Sequence, residues 1–522
     1  MSVPATITTA ISYPNGRPHI GHAYETIATD AFARALRMQG RDVFFQTGTD
    51  EHGLKMVQAS RDKGMEPRQL ADEMSHHFKE MNDRLNISYD RFIRTSEPAH
   101  HSASQALWRA LEASGDLYLG RYEGWYSVRD EAFYDKDELT DGQGEGEKLS
   151  PQGTPVEWTV EESWFFRLSR YQDRLLALYA EQPDFIRPDS RRNEVLRFVE
   201  AGLTDISVSR TSFDWGVPVP GSDGHVMYVW VDALTNYITG CGYPDDPERF
   251  ARYWAQGGDI THIIGKDIVR FHAVFWPAFL MSANLPLPKQ IFGHGFLLNR
   301  GEKMSKSLGN VADPLELADR YGVDQLRYFL LAEVTFGNDG SYSAEAIVQK
   351  ANSDLANSFG NLAQRTLSFI AKNLDGRLPT GAPADVDQIL LAEVLKACAQ
   401  DVPAAFDTLA PSAAIEAWMR AVFACNAYID AQAPWALRKT DPVRMEAVLA
   451  TLYVVIGQLA IAISPVIPAS SAALLDQMGV PAEARTYVGL GQDWYTALHA
   501  SGFTLSPPRP LFPRLELPAE EA

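Results

Sequence analysis

Two histidines stand three residues apart in Pro18-His19-Ile20-Gly21-His22, and two lysines three apart in Lys303-Met304-Ser305-Lys306-Ser307. Both strings suit phosphate chemistry. Imidazole N–H groups can donate to oxygens that gain charge during a reaction, and Gly21 lets a flat ring approach the backbone closely. The first string lies between an apolar run, Ile7 to Ser12, and a helix-like stretch from Ala23 to Met38 that Gly40 closes. Such a strand-to-helix turn collects anions, because free backbone N–H groups and the positive end of the helix dipole point outward. The second string places two ammonium groups and two hydroxyls between Gly301 and Gly309. In this order, the pair reads as nucleotidyl transfer from ATP.

The elements that must position these residues alternate. A strand at Ile7–Ser12 leads to the first helix, and a second strand, Val43–Phe45, leads to a polar loop from Thr47 to Gly53. Helical periodicity returns from Leu54 to Lys63 and from Pro67 to Leu85. Alternation of this kind predicts a parallel sheet with right-handed crossovers and ligands at the carboxyl ends of its strands. From about Tyr118 to Gly224, aromatic and turn residues, with the Gly-rich stretch Asp141 to Gly146, predict an inserted subdomain of short strands and loops. Strands are expected again at Val226–Val231, where alternation puts Tyr228, Trp230 and Asp232 on one face before a helix that begins with Ala233, Leu234 and Tyr237, and at Ile260–Ile264. The latter runs through Gly265-Lys266-Asp267 into a helix from Ile268 to Ser282. After about Tyr342 the pattern is helical to about residue 500, as in a bundle, and a Pro-rich tail follows from Ser506.

The expected fold class is therefore α/β plus all-α. A split Rossmann-like parallel-sheet catalytic domain (1–117 and 225–295) holds an inserted connective subdomain (118–224). A loop subdomain (296–342), an α-helical domain (343–500) and an extended tail (501–522) complete it. Its length of 522 residues also predicts several domains. Three widely separated cysteines, Cys241, Cys398 and Cys425, exclude a disulfide framework and point to a reducing, cytoplasmic setting. No secretory leader is read at the start. The longest apolar run, near Leu449 to Ile463, is broken by Gln458 and followed by Pro465, so a bundle helix is expected rather than a membrane span. The net charge of −20 gives no hint of a nucleic-acid partner. The pairs His76-His77 and His100-His101 lack ligand spacing and read as surface residues.

The two strings resemble the hallmark motifs of the class I aminoacyl-tRNA synthetases, and the residues between them resemble the methionine-specific branch over nearly the whole chain. That resemblance implies L-methionine, ATP with Mg2+, and initiator and elongator tRNA(Met) as substrates. It implies catalytic roles for His19, His22, Lys303 and Lys306, with Gly21, Glu25, Gly265 and Asp267 completing the ATP site. It implies a methionine pocket of Ala10, Ile11, Tyr13, Trp230, Ala233, Leu234, Tyr237, Ile268, Phe271 and His272, with Asp50 receiving the substrate ammonium group. Asn361 and Arg365, in a polar stripe that begins at Asn357, would read the anticodon with Trp435. A flexible thioether suits aromatic walls.

The chain departs from relatives that bind zinc through Cys-x-x-Cys pairs, since no cysteine precedes Cys241, so no structural zinc is expected. Absence of an extra C-terminal domain favours a monomer. With no large editing domain, homocysteine is expected to be disposed of at the synthetic site. A leucine or valine enzyme, a cofactor adenylyltransferase and a non-catalytic RNA-binding paralogue are the competing readings.

Overall fold

The computed structural model describes residues 3–129, 132–142, 144, 146–255, 258–299 and 312–517, so Lys303 and Lys306 lie outside the described residues. The chain forms two compact units. The first comprises 1–18, 43–83 and 89–294; the second comprises 19–42, 84–88 and 295–522.

Unit 1 is built on a six-stranded parallel sheet. Its strands are β1 (Ala5–Thr9), β2 (Val43–Thr49), β3 (Arg91–Arg94), β4 (Ile186–Arg187), β5 (Asp259–Gly265) and β6 (Gln290–His294). Every residue of β1 and β2 is buried, as expected of strands covered on both faces. The spatial order is β3-β2-β1-β5-β6-β4. Strand order therefore reverses direction between β1 and β5, and in an open parallel sheet the binding crevice forms at that switch, outside the carboxyl ends.

The sequence range expected as an insertion supplies β4 to this sheet, and its own β-structure is longer than anticipated. Strands Leu117–Ser127 and Pro155–Phe166 pair antiparallel over ten residues, from Leu117 against Phe166 to Tyr126 against Glu157. Helices Gln172–Glu181 and Asp189–Glu200 follow. Glycines and turn residues in this stretch concealed the long ladder. Near its end, buried hydroxyls interlock: Ser127 Oγ and Ser150 Oγ each lie 2.7 Å from Thr154 Oγ1.

A second difference concerns Val226–Val231. Only Val226 and Met227 are extended, paired with Ser209–Arg210, and Val229–Gly240 is a helix. The helix therefore starts four residues before the expected Ala233; all but one of its residues are buried, so no apolar stripe with a 3.6-residue period marks its start in the sequence. Trp230 and Asp232 consequently diverge by about 200° around a helix axis rather than sharing a strand face.

In unit 2 the first helix, Ile20–Met38, carries a carboxylate, Asp30, with no exposure. Asp30 Oδ2 accepts from Arg327 Nη2 at 2.6 Å and Arg34 Nε at 2.7 Å, and Oδ1 accepts from the Ser88 N–H at 2.7 Å and hydroxyl at 2.6 Å. Arg327, equally buried, also donates to the carbonyls of Leu85, Pro465 and Val466. Burial alone would raise the Asp30 carboxyl; the Arg327 and Arg34 guanidinia outweigh that and hold it low. Long helices, among them Pro411–Gln432 and Pro442–Ile463, make the bundle, with Trp418 Nε1 donating to Leu459 O at 2.9 Å. Pro442–Ile463 is long and apolar enough to cross a membrane by composition, and it is the buried centre of this unit. The tail returns along the bundle, where Leu515 and Asn352 exchange two hydrogen bonds at 2.8 and 2.9 Å.

Arg327→Met should lower the stability of unit 2 by about 3–5 kcal/mol, since it strands a buried carboxylate and three carbonyls. Urea unfolding measures this; an unchanged midpoint would mean that Arg34 and Ser88 alone satisfy Asp30.

Candidate functional site

The first helix begins with an unusual cap. His19, at the N-cap, has extended backbone (φ −130°, ψ 171°), and its Nδ1 accepts from the Gly21 N–H at 3.1 Å. In return the His19 N–H donates to His22 Nδ1 at 3.1 Å. The two rings stack with centroids 3.8 Å apart. This is a capping box made of imidazoles in place of the usual Ser and Glu. It fixes both tautomers, because an Nδ1 that accepts must leave the ring hydrogen of the neutral form on Nε2. Both histidines therefore carry the ring hydrogen of their neutral form on Nε2, at a helix N-terminus that already favours anions.

Gly21 has a sharper role than room for a ligand, since a Cβ there would come within 2.9 Å of His19 Cε1. Glu25 lies one turn further along, partly exposed. The N–H of Ile20 donates to Ala312 O at 3.1 Å, and Ala312 follows Ser307 by five residues in the sequence.

In unit 1 the crevice at the sheet's switch point is bounded by residues after β1 and after β5. Ala10 donates its N–H to Ile263 O at 3.0 Å, which ties the two strand ends together. Ala10, Trp230, Ile268 and Phe271 pack as partly buried residues on one apolar core that includes Leu234 and Tyr237. Trp230 and Phe271 lie face to face, 3.8 Å apart and 5° from parallel. Behind them, Tyr237 Oη is 2.7 Å from His272 Nε2, and His272 Nδ1 is 3.0 Å from Ile268 O. A carbonyl can only accept, so Nδ1 carries the hydrogen and Tyr237 donates to Nε2. Burial pushes the His272 pKa down to about 4, which keeps this ring neutral at pH 7.

Ala233 is buried on the same helix as Trp230, and Ile11 is partly exposed. Gly265 ends β5, and the Asp267 carboxylate folds back to 2.7 Å from where a Gly265 Cβ would stand. The expected helix Ile268–Ser282 is interrupted by a wide π-type turn at Phe271–Phe275 before Trp276–Ser282. Such a turn re-aims the side chains it carries.

Tyr13 belongs to a second, smaller apolar cluster. It packs on a small cluster of Met56, Leu70, Ala71 and Met74, its hydroxyl donates to His52 O at 2.7 Å, and it accepts from the Met56 N–H at 3.2 Å. Asp50 is buried in the same loop, its N–H bonded to Ser12 O.

Two residues that sequence reasoning left out belong to this region. His100, expected at the surface, has no exposure: it bonds Asp232 at 2.6 Å, and His52 bonds the other carboxylate oxygen at 2.6 Å. His76 and His77 do reach solvent. No local signal marked His100, because its partner is 132 positions away.

In unit 2, Asn357 and Asn361 are exposed, but Asn357 lies in a π-type segment, Ala351–Gly360, and Asn361 starts the helix Asn361–Asn373. Arg365, one turn along, bonds Asp430 at 2.8 Å and places its guanidinium 5.2 Å from the Trp435 ring. Trp435 is 45% exposed. It follows a corner at Ala433, whose left-handed backbone (φ 40°, ψ 63°) turns the chain into the next helix. A planar cation laid by an exposed indole is a platform on which an unstacked base can rest.

Residues 5–367 match the family model for tRNA synthetases class I (M), and residues 378–521 match the anticodon binding domain of methionyl tRNA ligase. A methionine–tRNA ligase of Brucella suis is 57% identical over 509 residues, covering 97% of each chain. One from Mycobacterium tuberculosis is 54% identical over 524 residues, covering 99% of this chain and 98% of the relative. The solved Mycobacterium tuberculosis methionyl-tRNA synthetase bound by methionyl-adenylate superposes with a TM-score of 0.93 at 52% identity, covering 98% of this chain and 100% of that one. Its free-state crystal structure superposes with a TM-score of 0.87 at 49% identity, covering 99% of each. With its sheet order, its paired histidines and these matches in agreement, the chain belongs to the methionyl branch of the class I tRNA synthetases.

Proposed function

We infer that this chain activates L-methionine with ATP and transfers the methionyl group to the 3′ end of tRNA(Met), for initiation and elongation. In the first step a carboxylate oxygen of methionine attacks the α-phosphorus, the bond to the β-phosphate oxygen breaks, and pyrophosphate leaves. In the second, a terminal ribose hydroxyl of the tRNA attacks the mixed-anhydride carbonyl and AMP leaves. No side chain need be the nucleophile. Positioning and charge stabilisation supply the rate.

The observation that carries the reading is the imidazole cap. Its hydrogen bonds fix an Nε2–H on each ring before any substrate arrives, as preorganised donors to developing charge must be. We assign His19, Gly21, His22 and Glu25, with Gly265 and Asp267, to ATP. Lys303 and Lys306 are also assigned to ATP, Lys306 to the departing pyrophosphate. Ala10, Ile11, Tyr13, Trp230, Ala233, Leu234, Tyr237, Ile268, Phe271 and His272 are assigned to the methionine side chain, and Asp50 to its ammonium group. The Tyr237 hydrogen is committed to His272, so ring faces rather than donors would grip the thioether. Mg2+ is proposed to enter with the phosphates; among the described residues no group of three or more His, Cys, Asp or Glu is arranged to hold a metal ion.

Asn361, Arg365 and Trp435 are assigned to the anticodon, which a small-molecule adenylyltransferase would not require. A cytoplasmic place accords with three buried, unpaired thiols, and the proposed state is a monomer.

The deciding experiment is ATP–pyrophosphate exchange across a panel of amino acids. Methionine should dominate the panel, and Lys306→Ala should slow its exchange by on the order of 100-fold with methionine affinity little changed. Exchange within threefold of wild type would remove Lys306 from the mechanism. Gly21→Ala should displace the His19 ring and lower exchange kcat by about 100-fold, more than it raises methionine KM. Trp435→Ala should weaken tRNA charging about ten- to hundredfold, from a stacking contribution of about 1–3 kcal/mol per base, and leave exchange intact. Loss of both activities together would make Trp435 a folding residue.

A further inference from the structure

The helix Val229–Gly240 is apolar through most of its length, yet it carries one carboxylate, Asp232, with no exposure. An apolar residue would be easier to bury there, because a desolvated charge must regain from its partners what it loses in hydration. Asp232 has two such partners. Its Oδ2 lies 2.6 Å from His52 Nδ1 and its Oδ1 lies 2.6 Å from His100 Nε2. Burial by itself would raise this carboxyl; the two imidazoles overcome that and hold it far below its ordinary value. His100 is held in turn by Thr239 of the same helix, whose hydroxyl lies 3.1 Å from Nδ1.

His52 connects this arrangement to the loop that contains Asp50. Its ring packs edge-on against Trp215 at 5.3 Å, and its carbonyl receives the Tyr13 hydroxyl. The neighbouring Glu51 is held from other directions. Arg94 reaches it with two nitrogens at 2.6 and 3.0 Å, the Thr49 hydroxyl donates at 2.8 Å, and Trp215 Nε1 donates to its carbonyl at 2.6 Å. Glu51 thus anchors the loop to β2 and β3, while His52 anchors it to the helix that bears Trp230 and Tyr237.

We propose that Asp232 is a positioning residue for the amino-acid substrate. Through His52 it holds Asp50 at the distance from the aromatic wall that separates an ammonium group from a thioether. This rests on the assignment of Asp50 to the ammonium group. Its contribution is preorganisation: a small misplacement of a binding group lowers productive binding without touching the reacting atoms.

The test compares L-methionine with 4-(methylthio)butanoate, the same molecule without its ammonium group, used as a competitive inhibitor of exchange. If wild-type protein shows no methionine-dependent exchange, the wider reading fails before this one is tested. Given that exchange, Asp232→Asn should raise methionine KM about tenfold. The KM for ATP and the inhibition constant of the desamino acid should stay within about twofold of wild type. His52→Asn should behave alike, and the double variant should be no worse than the worse single one, as expected for residues acting in series. Parallel weakening of methionine and the desamino acid would show that Asp232 only supports the pocket and would overturn the proposal. An unchanged methionine KM, or multiplicative effects of the two substitutions, would overturn it too. Should Asp232→Asn fail to fold, judged by circular dichroism and melting, His100→Gln keeps the His52 arm and carries the same comparison, with an expected rise of about threefold.

Discussion

A charge without solvent must find its counter-charge, and the Asp30–Arg327 pair meets that demand in the middle of the first helix. Both side chains have no exposure, and they come from positions 297 residues apart. Arg327 also satisfies three carbonyls from two other segments, so the helix register is set by a group that tolerates no slippage. The cap formed by His19 and His22 stands at the start of that same helix. Its geometry is only as good as the register beneath it, and the register comes from the ion pair.

Histidine is used in three physically distinct ways here. In the cap, backbone N–H groups occupy both Nδ1 atoms and so decide where the hydrogen sits. In the pocket, burial drives His272 to its neutral form, and a carbonyl and a phenol complete its bonding. Against Asp232, His52 and His100 instead serve as donors to a buried carboxylate. Residue type alone told none of these apart. Each is determined by what the ring nitrogens touch.

Much of the catalytic fold was legible because its signals are local. Strands β1, β2 and β5 are short apolar runs bounded by polar turns, and the helices Leu54–Asp62 and Pro67–Arg84 show their period within a few turns. The His-x-x-His and Lys-x-x-Lys spacings are local as well. What escaped was set by distant partners. The first turn of Val229–Gly240 read as the end of a strand because tertiary contacts cover this helix on nearly all sides and erase the stripe that would have marked where it starts. His100 read as a surface residue because Asp232 lies far along the chain. The approach of Arg365 to Trp435 across seventy positions followed from resemblance and not from any pattern in the residues. Lys303 and Lys306, outside the described residues, rest on sequence alone.

The two compact units are not consecutive in sequence. The histidine helix, at 19–42, is grouped with the C-terminal body, while the strands on either side of it belong to the sheet. No single cut therefore yields two self-sufficient fragments. A synthetic fragment ending near residue 295 would keep Asp30, Arg34 and Ser88 but discard Arg327, leaving the helix that presents the histidines without the buried guanidinium at its centre. Modular shuffling of this enzyme by simple fusion is closed off by that interleaving, whereas complementation by two co-expressed halves is left open.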